Sequence, residues 1–240
     1  MTTLLKALTG AGVGPRRTCF RLITEGKVTV NGEPATNATL EVDPAVDAIE
    51  ADGRRITAAQ PYVYVKMNKP AGVLSAVHDT RGRPTVSGLV PPRYRDLRLF
   101  PVGRLDMDST GLVLMTNDGD LAYRLMHPSY GYEKEYHVSL KVSLTDADVR
   151  ALSQGVLLEG QRTAPARVAR LNDRAGIKYS VTLAEGRKRQ VRRMLASLGK
   201  PPTTLERVRI HTLLLGDLAP GEARDLSADE LAALRGDKGS

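Results

Sequence analysis

The sequence predicts an α+β protein with two domains, and three observations support this. At 240 residues the chain exceeds the usual size of one domain. Its beginning has the pattern of two helices and a hairpin, and the rest interleaves strand-like segments with capped helices. Because regular βαβ repetition is missing, we expect a mixed, mostly antiparallel central sheet. A looser composition at residues 57–61 predicts a linker between domains at 2–58 and 61–235.

Two short helices are predicted at the N-terminus. Leucines within residues 4–8 are spaced for one helix face, and glycines follow where this helix would end. The second helix is predicted from Arg16 to Glu25, with Phe20 and Ile23 turned inward and a glycine as its C-terminal stop.

A β-hairpin follows these helices. Residues 27–30 alternate as a strand does, and Asn31-Gly32 is the strongest short signal for a hairpin turn. Basic residues cluster on the second helix and just after it, where they either face water or bind phosphate. They are Arg16, Arg17, Arg21 and Lys27.

The remaining elements have clear local signals. Asn117 or Asp118 can cap a helix that stops before Pro128, Thr145 opens another, and Ser227 begins a capping box. Strands are expected at residues 63–67, 112–115, 136–142, 166–171, 178–182 and 213–218.

Composition narrows the functional classes. The net charge of +8 favours a polyanionic partner. A single cysteine, Cys19, allows neither an internal disulfide nor a thiolate metal cluster, and it is expected in the core. The four histidines lack zinc-type spacing, so no metal site is predicted. Neither a membrane-spanning run nor a secretory signal is visible, so we expect a cytoplasmic protein.

The most informative segment is Gly103-Arg104-Leu105-Asp106-Met107-Asp108-Ser109-Thr110-Gly111. In an extended chain, Arg104 and Asp106 point to one side and Leu105 to the other. The pattern places a cation and a carboxylate together on a loop that leads into an apolar strand. An isolated R-x-D would usually be a solvated surface loop, so the flanking sequence has to decide.

Four ordered blocks resemble the pseudouridine synthases, specifically the RsuA/RluB branch. G-R-L-D with D-S-T-G-L and T-N-D-G is similar to the catalytic motif of that family. The other three blocks are residues 66–73, 133–136 and 185–194, and they occur in the order that the family shows. The helix-helix-hairpin pattern at the N-terminus resembles the S4 RNA-binding domain. The resemblance covers nearly the whole chain.

The resemblance implies an isomerase that needs no cofactor. Pseudouridylation breaks the bond between ribose and uracil N1 and rejoins the ribose to C5, without net oxidation or reduction. Asp106 is implied as the catalytic carboxylate, which either attacks C1′ or abstracts a ribose proton. The sequence leaves both routes open.

Further site residues follow from the resemblance. Arg192 is implied as a catalytic cation beside Asp106 that favours the ionised carboxylate. Tyr136 is implied to stack on the flipped uracil, although a half-buried strand tyrosine is the simpler interpretation. Arg104 resembles the side chain that fills the gap left by the target base. Asp108 orients the loop or pairs with a basic neighbour, and a D-x-D metal site is the weaker alternative.

Phosphate contacts are expected on two basic surfaces. The first is the basic second helix of the S4-like domain, and the second lies within residues 181–211, which include Arg207 and Arg209. On the second surface the expected phosphate ligands are Arg187, Lys188, Arg189 and Arg193.

These features predict a monomeric synthase that acts on ribosomal RNA, with an assembling large subunit as its partner. Residues 131–136 and 163–166 resemble the large-subunit RluB type more than the small-subunit RsuA type, which implies 23S and not 16S rRNA. Few aromatic residues argue against a sheet that stacks bases, so RNA should be held by charge and shape. The alternatives are a non-catalytic rRNA-binding or ribosome-assembly factor, a synthase acting on 16S rRNA, and a carboxylate glycosidase.

Overall fold

The computed structural model describes residues 1–56, 60–172 and 176–236, and the chain forms two compact units. The first comprises Met1–Tyr62 with Asp96–Arg98, and the second Val63–Arg95 with Leu99–Ser240. Residues 57–59, where the linker is predicted, lie outside the described residues, so the domain boundary stays a prediction.

The first unit packs two short helices against small antiparallel sheets. Helix α1 begins after Thr3, whose Oγ1 accepts a hydrogen bond from the Lys6 backbone N–H at 3.3 Å. The hairpin prediction is confirmed, because Asn31 and Gly32 both have positive φ, at 53° and 87°, as a type I′ turn requires. The elements are β1 (Thr2–Thr3), α1 (Leu4–Gly10), α2 (Arg16–Thr24), β2 (Val28–Val30), β3 (Glu33–Pro34), β4 (Glu41–Val42), β5 (Ile49–Ala51) and β6 (Arg54–Arg55).

One core residue was predicted wrongly in α2. Cys19 and Ile23 are fully buried, and the Cys19 Sγ donates to the Gly14 carbonyl at 3.3 Å. Phe20, expected to face inward, is instead 50% exposed. Cys19 and Ile23 are four residues apart and share the inward face, so the next residue after Cys19 is rotated away by about 100°.

The second unit is built on one mixed, mostly antiparallel sheet, as predicted. The strand order is β13-β14-β10-β15-β9-β7-β17, and the pair β9–β15 is parallel. The strands of this sheet are β7 (Tyr64–Lys69), β8 (Phe100–Pro101), β9 (Thr110–Thr116), β10 (Lys134–Leu140), β13 (Arg167–Leu171), β14 (Ile177–Leu183), β15 (Thr204–Ile210), β16 (Leu213–Leu214) and β17 (Ala223–Asp225). A separate two-stranded sheet consists of β11 (Leu157–Leu158) and β12 (Gln161–Arg162).

Two strand predictions need correction. Strand β15, at the centre of the sheet, was not predicted, because its charged residues Glu206, Arg207 and Arg209 hide the apolar pattern. The strand expected at residues 213–218 ends at Leu214, and Gly216 with φ of 64° turns the chain.

The helices of the second unit follow the predicted caps. The Asp118 carboxylate accepts from the backbone N–H groups of residues 120 and 121, while Thr145 and Ser227 form capping boxes with Asp148 and Glu230. The helices are α3 (Gly119–Met126), α4 (Asp146–Gln154), α5 (Gln190–Ser197) and α6 (Ala228–Arg235), with 3-10 turns at Val86–Leu89, Pro92–Tyr94 and Pro128–Tyr130.

Two cores support the sheet. Helices α4 and α5 pack against β10, β13 and β14, while α3 and α6 contribute to the core beside β7 and β9. The loop between β8 and β9 therefore lies between the core that contains α5 and the core that contains α3. Within the described part of the chain, no helix has the length and apolar character needed to cross a bilayer.

Candidate active site

The Asp106 loop, defined as residues 103–109, connects β8 to β9 and is fixed from below. Leu105 is buried, Arg104 is exposed and Asp106 is partly exposed, which is the predicted alternation. Ser75 Oγ donates to the Leu105 carbonyl and accepts from the Leu105 N–H, both at 3.0 Å. This reciprocal pair presents Asp106 outward, and no sequence signal pointed to Ser75.

Lys69 ties a second segment to the same loop. Its side chain is fully buried, and Nζ donates to the carbonyls of Pro70 at 2.9 Å, Val73 at 2.8 Å and Met107 at 3.4 Å. Burial lowers the pKa of Lys69 to about 8, although the negative charges of Asp108 and Asp106 act in the opposite direction. Residues 66–73 thus help to fix the backbone of the Asp106 loop through the hydrogen bonds of Lys69.

Gly111 lets the strand after the loop run close against β15. It has φ of 103°, and a Cβ there would lie 2.3 Å from the Arg207 carbonyl oxygen and 2.6 Å from the Arg207 nitrogen. A side chain cannot fit at that distance. Gly111 therefore sets the position at which the Asp106 loop enters the sheet.

The sequence predicts Arg207 on the second basic surface, but the structure places it under the loop. It is only 3% exposed, and its Nε donates to the Leu112 carbonyl at 2.8 Å. Its Nη2 is buried and has no hydrogen-bond partner among the described residues. Lys134 is near enough that the charge of Arg207 adds to burial in lowering the pKa of Lys134. Two buried cations, Lys69 and Arg207, therefore lie beneath the loop and the start of β9.

The two carboxylates of the loop share arginines from the start of α5. Arg189 Nη1 lies 3.6 Å from Asp106 Oδ2 and 3.4 Å from Asp108 Oδ1. Burial acts to raise the pKa of the Asp108 carboxyl, but hydrogen bonds from Arg189 and the charges of Arg192 and Arg189 outweigh it and hold the pKa below its usual value. The predicted pairing of Asp108 with basic neighbours is confirmed.

Arg192 occupies a different place from the one expected. Its ion pair is with Asp108 Oδ2 at 3.2 Å, and it is Arg189 that reaches Asp106. Arg192 Nη2 also donates to the Asp108 carbonyl and to Ser109 Oγ, each at 3.2 Å. The difference arises because Arg189 has a left-handed conformation, with φ of 52°, immediately before α5 begins. Arg192 thus holds the backbone of the loop.

The expected phosphate ligands at α5 differ in availability. Arg187 pairs with Glu185 at 3.3 Å and donates to the Arg162 carbonyl, while Arg193 pairs with Glu159 at 2.8 Å. Lys188 is exposed to solvent. Phosphate binding by Arg187 or Arg193 would therefore exchange an existing ion pair for a new one.

Tyr136 lies on the sheet face that carries Arg207. It is partly buried and stands opposite Arg207 on β15, next to a register shift between Glu135 and Tyr136. Directly opposed residues in neighbouring strands point to the same face. The ring also packs against the core that contains α5.

Comparison with known proteins identifies the family and the fold. Residues 63–197 match the RNA pseudouridylate synthase family, and residues 3–46 match the S4 domain. The chain belongs to the RNA pseudouridine synthases. It is of the RsuA/RluB type, and it is an isomerase.

Known relatives match this synthase over nearly its whole length. An uncharacterised RNA pseudouridine synthase of Mycobacterium leprae is 41% identical over 239 residues, covering 96% of this chain and 91% of the relative. The ribosomal large subunit pseudouridine synthase B of Bacillus subtilis is 39% identical over 240 residues, covering 98% and 96%. A crystal structure of a pseudouridylate synthase is 30% identical, with a TM-score of 0.69, and the match covers 98% of this chain and 100% of that one.

The S4 domain of this synthase presents its predicted basic residues to solvent. Arg16, Arg17 and Arg21 are exposed on α2, and Lys27 is exposed just after it. Glu25 lies among them, 2.8 Å from Lys27 and 3.8 Å from Arg21. The exposed Phe20 shares this helix, so the surface combines charge with one aromatic ring.

Proposed function

We propose that this synthase converts a uridine of large-subunit (23S) ribosomal RNA to pseudouridine, with Asp106 as the catalytic carboxylate. The observation that carries this is the Asp106 loop itself. Ser75, Lys69 and Arg192 fix its backbone, and Asp106 stays partly exposed beside Arg189. Near full-length similarity to a large-subunit synthase supports the choice of rRNA.

The reaction rearranges atoms within one nucleotide. The N1–C1′ bond breaks, a C5–C1′ bond forms, C5 loses a proton and N1 gains one, so the composition of the RNA is unchanged. Asp106 either attacks C1′ or removes a ribose proton, and in both routes it acts as the carboxylate. Arg189 lies 3.6 Å from Asp106, and Arg192 pairs with Asp108, so cations of α5 and its N-cap stand beside both carboxylates of the loop.

The flipped uridine requires two further groups. Tyr136 is proposed to stack on the uracil, which is worth about 1–3 kcal/mol per base for aromatic platforms. Exposed Arg104 is proposed to fill the space that the base leaves in the RNA, where a planar guanidinium can stack. Tyr136 would thus hold the base that has left its helix, and Arg104 would occupy the place that the base has left.

Contacts with the RNA backbone are proposed for both domains. Arg16, Arg17, Arg21 and Lys27 of the S4 domain, with Lys188, are exposed, and phosphate would compete with Glu25 for Arg21 and Lys27. Such contacts position the protein without reading sequence. An assembling large subunit, whose rRNA is still accessible, is the proposed partner of a monomeric enzyme.

The test is pseudouridine mapping on full-length 23S and 16S transcripts incubated with the purified protein. Asp106→Asn protein serves as the blank. We expect a new pseudouridine in 23S rRNA with the wild type alone. Modification of 16S rRNA alone would overturn the proposal that 23S rRNA is the substrate. Binding without modification of either transcript would favour a non-catalytic assembly factor.

A further inference from the structure

Five rings form a continuous chain beside the Asp106 loop. Tyr123 lies 4.9 Å from His127 and 6.2 Å from Tyr130, measured between ring centroids. Tyr130 stacks on Tyr132 at 6.0 Å with planes 22° apart, and Tyr132 lies 4.2 Å from His211. We call these five residues the aromatic ladder.

Three rings of the ladder, those of Tyr123, His127 and Tyr130, are exposed to solvent. Tyr123 is 54% exposed and Tyr130 is 46% exposed, and Met126 between them is 45% exposed. In contrast, Tyr64 and Tyr179 lie in the core. Tyr132 and His211 are half-buried, so the ladder runs from the core edge to solvent. Exposing three of its five rings side by side, in a chain with only eight tyrosines and four histidines, points to a binding surface.

Local hydrogen bonds fix parts of the ladder. His127 Nδ1 lies 2.7 Å from Ser129 Oγ and accepts from the Ser129 N–H at 3.3 Å, within the 3-10 turn that links α3 to β10. At the other end, the backbone N–H of His211 donates to the carbonyl of Glu133, the residue before β10, at 2.7 Å. The His127 ring is therefore held by its own turn, and the backbone at His211 is fixed beside the start of β10.

The ladder is continuous with the active site. The backbone N–H of Gly103, the first residue of the Asp106 loop, contacts Met126 Sδ at 3.0 Å. Met126 ends α3, which carries Tyr123, and exposed Arg104 follows Gly103 directly. At its far end, Tyr132 leads into β10, which carries Tyr136. One end of the ladder is therefore joined to the Asp106 loop through Met126, and Tyr132 lies four residues before Tyr136 along the chain.

We infer that the aromatic ladder is a stacking platform for unpaired RNA bases that flank the target uridine. This rests on the proposed function, since it specifies the form of RNA that the same site accepts. Aromatic rings stack on any base, and the neighbouring cations Arg104 and Arg124 suit a phosphate backbone. A protein partner would also cover exposed rings, but it would have to compete with RNA at the mouth of the site.

The test compares two probes that share a backbone. Fluorescence anisotropy measures binding of the full-length protein to a 12-nucleotide oligouridylate and to an abasic ribose-phosphate chain of equal length. Both probes contact the basic surfaces, but only the first can stack. We expect the wild type to prefer the oligouridylate, and Tyr123→Leu and Tyr130→Leu each to reduce that preference by about 5- to 150-fold, the range for loss of one stacked base.

Matched variants separate stacking from other effects. Tyr123→Phe and Tyr130→Phe keep the ring and should keep the preference, while thermal unfolding confirms that the leucine variants are folded. An unchanged preference in the folded leucine variants would overturn the inference and leave the patch to a protein partner. Equal binding of both probes by the wild type, or equal loss in the phenylalanine variants, would also overturn it.

The same preparation distinguishes this inference from the proposed function. A wild type that modifies rRNA while its leucine variants bind both probes normally would overturn the ladder alone. A wild type that modifies no rRNA but loses oligouridylate binding in the leucine variants would overturn the proposed function and retain a stacking surface.

Discussion

Gly111 and Arg207 stand opposite each other where β9 and β15 run parallel, and the approach leaves no space for a Cβ. Gly111→Ala should therefore destabilise the protein by about 3–5 kcal/mol, from the clash and from a positive φ that alanine rarely adopts. Chemical denaturation measures this loss. Gly119→Ala is the matched control, since nothing lies within 4 Å of a Cβ there and α3 begins at that residue. Equal stability of the two variants would contradict the close approach.

Asp106→Asn should abolish pseudouridine formation and leave RNA affinity nearly unchanged, because the change removes the ionised carboxylate with little loss of volume. Single-turnover assays and anisotropy measure the two quantities. Asp108→Asn is the control, because it removes the partner of Arg189 and Arg192 but not the proposed catalytic group. It should retain measurable turnover. Activity in an Asp106→Asn preparation free of wild type would refute the role of Asp106.

Arg192 and Arg189 should differ in importance. Arg192 is largely buried and bonds to the Asp108 carbonyl and Ser109 Oγ, so Arg192→Ala should lower turnover by about 10²–10³-fold through loss of loop geometry and charge. Arg189 makes longer, exposed pairs, and its removal should cost less than about fivefold. Turnover at saturating RNA measures both, and the reverse order would transfer the main electrostatic role to Arg189.

How far the sequence predicted this structure depends on how local each feature is. The caps at Asp118 and Ser227 depend on residues within three positions, so they were readable. Strand β15 was missed because its buried Arg207 is stabilised by distant backbone, not by its neighbours in sequence.

The active-site loop shows the same limit. The alternation of Arg104, Leu105 and Asp106 follows from an extended chain, and it was predicted. Which arginine meets which carboxylate depends on the left-handed backbone at Arg189, and the support from Ser75 crosses 30 residues of chain. Neither has a sequence pattern of its own.

The buried amine of Lys69 should give the protein a measurable pH dependence. Its folded pKa, about 8, lies below that of an unfolded lysine, so between pH 8 and roughly 10.5 the unfolded state binds more protons. Stability from this group should therefore rise with pH across that window, by roughly 1–3 kcal/mol. Denaturation at pH 7.5 and 10, compared with Lys69→Met, isolates the effect, because the variant lacks this titration. Parallel curves for the two proteins would show that Lys69 keeps an ordinary pKa.

The exposed arginines of α2 should control how RNA binding responds to salt. Each phosphate that the protein no longer binds lowers the slope of log K against log salt by about 1, so Arg16→Ala, Arg17→Ala and Arg21→Ala combined should lower it by about 3. The control combines Arg54→Ala with Arg55→Ala, which removes exposed charge from β6 of the same domain. If α2 is a phosphate-binding surface, the control changes the slope little, because screened charges away from the RNA release few counterions. An equal decrease of slope per charge in both variants would mean that the domain acts through its overall charge and that α2 does not bind the RNA backbone specifically.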